Sequence, residues 1–178
     1  MWTPADPEHY LRRDFRGKAS RGGTPLMSAG SSIFEPTSNW LIYGHNMFDG
    51  TMFHDLVKYK DESFYKTHPT IRFDTIYEGG KGTYQVIAVV KARQGGEASH
   101  AKTDEASENT LRGFDYEQFA GVSDQVNFAR YVDEVKARSL YDTGHTAVFG
   151  DQLITLSTCE YSQKYGRLYV VAVRVYEN

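Results

Sequence analysis

The chain has a single cysteine, Cys159, among 178 residues, which excludes an internal disulfide and any multi-cysteine zinc site. No apolar run approaches the roughly 18 residues that a membrane-spanning helix needs. Neither sign of charge dominates. Lys and Arg number 20 against 23 Asp and Glu, a net charge of −3, so there is no electrostatic case for binding nucleic acid or an anionic lipid surface. The acidic residues lack the spacing of a calcium-binding loop, and Asp104, Glu105 and Glu108 read as a solvated charge cluster. No internal repeat and no low-complexity tract is present. The sequence therefore calls for no metal and no cofactor.

What remains suits one globular unit, residues 1–178, with 40% hydrophobic content for a core and 14% aromatics favouring strands. A proline-marked entry leads to a helical turn at 8–15, then loops around a weak strand at 24–28 and a short strand starting at Ile33. Residues 40–44 form a strand. Residues 51–59 and 61–66 form one helix or a broken pair, with Met52, Phe53, Leu56, Val57 and Tyr59 on its apolar face and His68-Pro69 ending it. Ile71, Phe73, Thr75 and Tyr77 alternate along a half-buried strand at 70–77. Its hairpin turn at 78–82 leads to a long partner at 83–92. Residues 93–109 read as a solvated loop and 115–119 as a short turn. The segment 123–139 is a helix capped by Ser123, with Val126, Ala129, Tyr131, Val132 and Val135 inward. Closing strands follow at 146–149, 152–158 and 168–176. Strands outnumber helices, and the helices fall between hairpins. This predicts a mainly β fold, an antiparallel or mixed barrel with peripheral helices.

Cys159 ends the apolar run Leu153-Ile154-Thr155-Leu156-Ser157-Thr158 and precedes a polar loop. Arg167 opens the next strand, so thiol and guanidinium face each other across a hairpin. That layout suits a nucleophile beside a cation that holds a developing oxyanion. A lone cysteine at a strand end is also how a small buried hydrophobe looks. A thiol nucleophile needs a proton partner. His9, His54, His68 and His100 lie in polar or helical surroundings, and His145 in a turn. His45 follows the strand Trp40-Leu41-Ile42-Tyr43 and Gly44, which permits a close backbone approach, and precedes the turn signal Asp49-Gly50. Three reactive groups thus stand at strand ends.

The strings Tyr43-Gly44-His45-Asn46-Met47, Thr155-Leu156-Ser157-Thr158-Cys159-Glu160-Tyr161 and Gly166-Arg167 resemble the signature segments of class B sortases, cysteine transpeptidases of Gram-positive surfaces. Tyr10-Leu11-Arg12-Arg13-Asp14-Phe15 and Gly50-Thr51-Met52-Phe53 are similar to that family too, so the resemblance covers nearly the whole chain. It sharpens the fold to a sortase-type β-barrel. Set against the family, the chain is expected to lack the N-terminal helix and first strands, as an N-terminally truncated catalytic domain, with possible self-association of the shortened barrel.

The resemblance further implies that Cys159 attacks a threonine carbonyl in a sorting-signal peptide of the Asn-Pro-x-Thr type. His45 would then move protons and Arg167 hold the oxyanion or the peptide. Leu11 lies in a segment that resembles a groove wall of the family, or is plain core. By position, Ser157, two before the cysteine on its strand face, lines the substrate groove or packs as a strand serine, Glu160 borders it or is an exposed loop acid, and Asn46 touches substrate or satisfies a turn. The acyl group would pass to an amine, from a peptidoglycan precursor or a pilin lysine, at the extracellular face of the membrane to which the full-length protein is anchored. The other reading is a catalytically impaired peptide-binding barrel. A papain-like hydrolase is disfavoured, because there the cysteine starts a helix and precedes the histidine.

Overall fold

A computed structural model describes residues 1–32, 34, 37–76, 80–93, 115–162 and 166–176. Ile33, Tyr77, Glu78, Gly79 and residues 94–109, which include Asp104, Glu105 and Glu108, lie outside the described residues, whereas Arg93, expected to open a loop, ends a strand. The strands are β1 (Leu26–Met27), β2 (Asn39–Tyr43), β3 (Thr70–Arg72), β4 (Thr83–Arg93), β5 (Leu153–Cys159) and β6 (Gly166–Val175). They form one six-stranded sheet in the order β1-β2-β5-β6-β4-β3. The sheet is mixed: β2 runs parallel to β5, whereas the β1–β2, β5–β6, β4–β6 and β3–β4 pairs are antiparallel. The expectation of a mainly β, mixed barrel with peripheral helices is met in a six-stranded sheet curled as a half-barrel, with β1 and β3 at its two edges.

Both faces of the sheet are buried, which explains why β5 and β6 read as near-continuous apolar runs. Along β6, Tyr169, Val171 and Val173 enter one core, and Leu168, Val170 and Ala172 enter the other. On β4, Tyr84 and Val86 face the second core, but Ile87 and Ala88 both face the first and Val89 returns to the second. The pairing register shifts between Val86 and Ala88, so one inserted residue reverses the side-chain parity of the strand. Alternation in the sequence does not announce such a bulge.

Short helices cover the two faces. The helical stretch at 51–67 is a broken pair: a 3₁₀ helix, His54–Lys60, then α1 (Glu62–Thr67). Asp61 divides them, its carboxylate accepting the Ser63 amide at 2.8 Å. Leu56, Tyr59 and Tyr65 are buried, whereas Met52 precedes the helices at φ 58° and is 40% exposed, so it leaves the predicted apolar face.

Three other expectations are corrected. The last helix, α2, is Gln125–Ala137, and its cap is Asp124, which accepts the Asn127 amide at 2.9 Å. Its buried positions are Phe128, Tyr131, Val132 and Val135, the i, i+3, i+4, i+7 set, while Val126 and Ala129 point outward. Residues 146–149 are no strand. Asp151 closes a local turn there, its carboxylate taking the Val148 amide at 2.8 Å, so those backbone groups need no sheet partner. Strand β3 stops at Arg72. Beyond it Phe73 and Thr75 still donate to Gly82 and Gly80 carbonyls, at 2.9 and 2.7 Å, as an irregular continuation of the hairpin.

The cap assignment is testable by thermal melts. Asp124→Ala costs about 1 kcal/mol, roughly 2–4 °C in Tm for a chain of this size, whereas Ser123→Ala changes little. Equal effects of the two would return the cap to Ser123.

Candidate functional site

Strand β5 carries the site through its alternation. Leu153 enters the core shared with α2, and Thr155 and Ser157, on the same face, meet tyrosines. Thr155 Oγ1 donates its one proton to Asn39 Oδ1 at 2.9 Å, so the buried Tyr131 hydroxyl donates to Thr155, at 2.7 Å. Asn39 Nδ2 in turn donates to the Phe119 carbonyl at 3.2 Å. One step along, Tyr116 and Ser157 hydroxyls bond at 2.8 Å. Burial pushes the Tyr116 phenol up to about 12, against the Ser157 hydrogen bond that favours its ionised form. Two residues further, on the same face, stands Cys159.

Cys159 is the register partner of Arg167 on β6, and the Arg167 Nη1 donates to its Sγ at 2.7 Å. The hairpin geometry expected from the spacing is the one observed. On the other side of β5, Tyr43 pairs with Ser157 in the parallel ladder. The Gly44 amide then donates to the Ser157 carbonyl at 3.0 Å, and Thr158 Oγ1 donates to the Gly44 carbonyl at 2.7 Å. His45 is thereby set beside the end of β5. A Cβ on Gly44 would fall 2.5 Å from the Phe53 ring, so this approach requires glycine. The following loop returns as a tight turn. Gly50 has φ 82°, Asp49 accepts the Thr51 amide at 3.0 Å, and Phe53 donates to the His45 carbonyl at 2.9 Å.

His45 Nε2 lies 2.8 Å from the Leu11 carbonyl. A carbonyl only accepts, so the proton sits on Nε2, and Nδ1 is left to take or give one. Among the described residues His45 makes no hydrogen bond to the thiol. His45, Cys159 and Arg167 share one pocket of about 350 Å³, and Leu11 and Ser157 also line it.

The other two groove candidates stand elsewhere. Asn46 is buried behind the cysteine. Its Nδ2 donates to the Cys159 carbonyl at 3.0 Å, and its Oδ1 accepts from His54 Nδ1 at 2.9 Å. Glu160 points to the opposite face of the sheet, where Lys60 Nζ lies at 2.9 Å and Lys91 Nζ at 3.5 Å, and Ser162 donates from its hydroxyl at 2.7 Å. Burial opposes its ionisation, but the Lys60 and Ser162 hydrogen bonds and the Lys60 charge prevail and hold the carboxyl at about 2.

Other residues joined the site without any local signal. Tyr43, Ser28 and Glu117 line the pocket, Glu117 from the 3₁₀ helix Tyr116–Phe119. Burial raises the Glu117 carboxyl, Asp115 adds to that, and the Arg167 charge opposes it. Burial also raises the Tyr43 phenol, with Glu117 adding to the shift. His54, whose helical setting in the sequence looked plain, braces Asn46. Among the described residues no three His, Cys, Asp or Glu side chains gather where a metal ion would sit.

A curled, mixed six-stranded sheet, with a thiol and a guanidinium paired at one end and a histidine at the end of the neighbouring parallel strand, is the architecture of a sortase. The structure aligns with a Staphylococcus aureus sortase B–substrate complex at a TM-score of 0.72 and 29% identity, over 94% of this chain and 69% of that one. In sequence it is 32% identical to sortase B of Staphylococcus aureus over 92% of its length, and 32% identical to sortase B of Listeria monocytogenes over 93%. No family model matches the chain. By sequence and fold the chain is similar to sortase B over nearly all of its own length. It spans 59% of the length of each of those two relatives.

The Glu160 ion cluster makes a pH-dependent prediction. The folded-state value lies below the ordinary 4.5, so the stabilisation is complete above about pH 4.5 and is lost as pH falls towards 2. Its size at neutral pH is about 2–4 kcal/mol. Glu160→Gln therefore melts lower than the parent at pH 7, and the gap closes on acidification. Parallel Tm-against-pH curves for parent and variant would show that the cluster contributes nothing of this kind.

Proposed function

We propose that the chain is a sortase B-type cysteine transpeptidase, with Cys159 as nucleophile, His45 as proton carrier and Arg167 as oxyanion donor. The observation that carries this reading is the 2.7 Å contact from Arg167 Nη1 to Cys159 Sγ inside a pocket that His45 also lines. A guanidinium donor at that place holds the negative charge that develops on the neighbouring carbonyl oxygen after attack.

The substrate in this reading is a sorting-signal peptide of the Asn-Pro-x-Thr type, running past Leu11 and Ser157. The S. aureus relative in complex with a substrate supports a peptide partner. Cys159 sulfur bonds to the threonine carbonyl carbon, the following peptide C–N bond breaks, and the leaving amine takes a proton from His45. An incoming amine then attacks the thioester, gives a proton back to His45 and releases the thiolate. The acceptor is a cell-wall or pilin amine, and the reaction belongs to the outer face of the membrane. Asn46 serves the same site from behind, by fixing the Cys159 carbonyl, and Glu160 anchors the loop that follows.

The test is mass spectrometry of products from an Asn-Pro-x-Thr peptide with and without an added amine. The expected outcome is cleavage after threonine, with the amine joined to the new end. Cys159→Ala abolishes both. Arg167→Lys keeps the charge but loses the forked donor, and lowers the rate by about 10²–10³. Continued turnover by Cys159→Ala overturns the nucleophile assignment. Peptide binding by the parent without any product would make the chain a peptide-binding barrel instead.

A further inference from the structure

The overall charge of −3 argues against an anionic partner only as an average. From Arg12 to Arg21 the chain carries four arginines and one lysine against a single aspartate. The structure shows what this segment builds. It leaves the pocket wall at Leu11 and folds back as a small hairpin. Arg13 bridges Ala19, the Asp14 amide donates to the Lys18 carbonyl at 2.8 Å, and the Ser20 amide donates to the Arg12 carbonyl at 2.9 Å. The one acid faces inward. Asp14 Oδ1 accepts the Arg16 and Lys18 amides, both at 2.9 Å, so its role is to hold the turn.

All five cations are exposed. Arg13 donates to the His9 carbonyl at 3.0 Å. Arg12, Arg16, Lys18 and Arg21 form no ion pair among the described residues, although Asp49 lies within electrostatic reach of Arg21. Of the other nearby acids, Asp6 is paired with His9 and Glu8 lines the pocket. At the tip Phe15 is 65% exposed, with the Arg16 guanidinium 5.1 Å from its ring centre.

We infer that this hairpin is a peripheral docking element for an anionic phospholipid bilayer, with Phe15 entering the headgroup layer and the basic residues resting on lipid phosphates. Exposed cations on a rigid turn suit any phosphate-rich partner, and Phe15 selects among them. A soluble phosphate polymer without bases or acyl chains offers nothing to an apolar ring, whereas the boundary between headgroups and acyl chains does. The contact proposed is a surface one, and among the described residues no helix is long and apolar enough to cross a membrane. The hairpin begins at Leu11, whose carbonyl accepts the hydrogen bond from His45 Nε2, so docking holds the pocket next to the bilayer. This inference does not depend on the transpeptidase reading.

The experiment is sedimentation of the 178-residue chain with vesicles of phosphatidylglycerol mixed with phosphatidylcholine, and with phosphatidylcholine vesicles alone. The chain is expected to partition onto the anionic vesicles only, and to come off as salt is raised. Reversing two charges together, R16E and K18E, weakens partition by roughly tenfold or more. Phe15→Ser weakens it at unchanged charge. Phe15→Trp keeps binding, and its emission shifts to the blue on anionic vesicles over the background of Trp2 and Trp40, which reports insertion even if a polar variant fails to fold. Equal binding to both vesicle types overturns the proposal. So does an unshifted Phe15→Trp emission combined with full competition by soluble polyphosphate, which would assign the patch to soluble phosphate polymers.

Discussion

Everything at the candidate site depends on the way β5 is held from both sides. Its antiparallel register with β6 sets Arg167 opposite Cys159, and its parallel register with β2 sets Tyr43 opposite Ser157 and so brings His45 to the same end of the sheet. A one-residue slip in either ladder would turn Cys159 to the other face, where Glu160 sits among lysines. Register is thus a chemical constraint as well as a structural one. It is enforced by apolar side chains on both faces and by the Tyr131–Thr155–Asn39 and Tyr116–Ser157 hydrogen bonds, which fit only one alignment.

Residues around the thiol divide by face. On the α2 side β5 presents hydroxyls and then the thiol, opening into the pocket with Leu11, His45 and Arg167. On the other side Glu160 pairs with Lys60 and Lys91 and fixes the start of the loop after the strand. Asn46 joins the two strand ends directly, from the histidine loop to the Cys159 carbonyl. Conserving geometry at a reactive centre takes such bracing, because a nucleophile and its donors work only within a narrow range of positions. Asn46 and Glu160 therefore have evident work as supports, apart from any contact with substrate.

Much of this was legible locally. The strand–glycine–histidine run, the thiol at a strand exit and the arginine at the next strand entrance are short-range features, and the hairpin joining the last two has a fixed reach. The Asp49-Gly50 turn and the break at Asp61 are legible for the same reason, since each is satisfied within a few residues. Errors arose where local signals compete. Ser123 and Asp124 are both good caps, and only the position of the Asn127 amide chooses between them. Thr146 to Phe149 has strand-like composition, but the Asp151 turn satisfies that backbone first.

The sequence by itself determined the class of fold and the strand ends at which Cys159, His45 and Arg167 stand, because periodicity and turn chemistry act over a few residues. Only the tertiary structure decided the parallel pairing of β2 with β5, the parity change at Ile87 and the meeting of Glu117, Tyr43 and Ser28 with Arg167 in one pocket. These are contacts between residues tens of positions apart. Their free energy comes from burying whole faces at once, and no window of the sequence contains that sum.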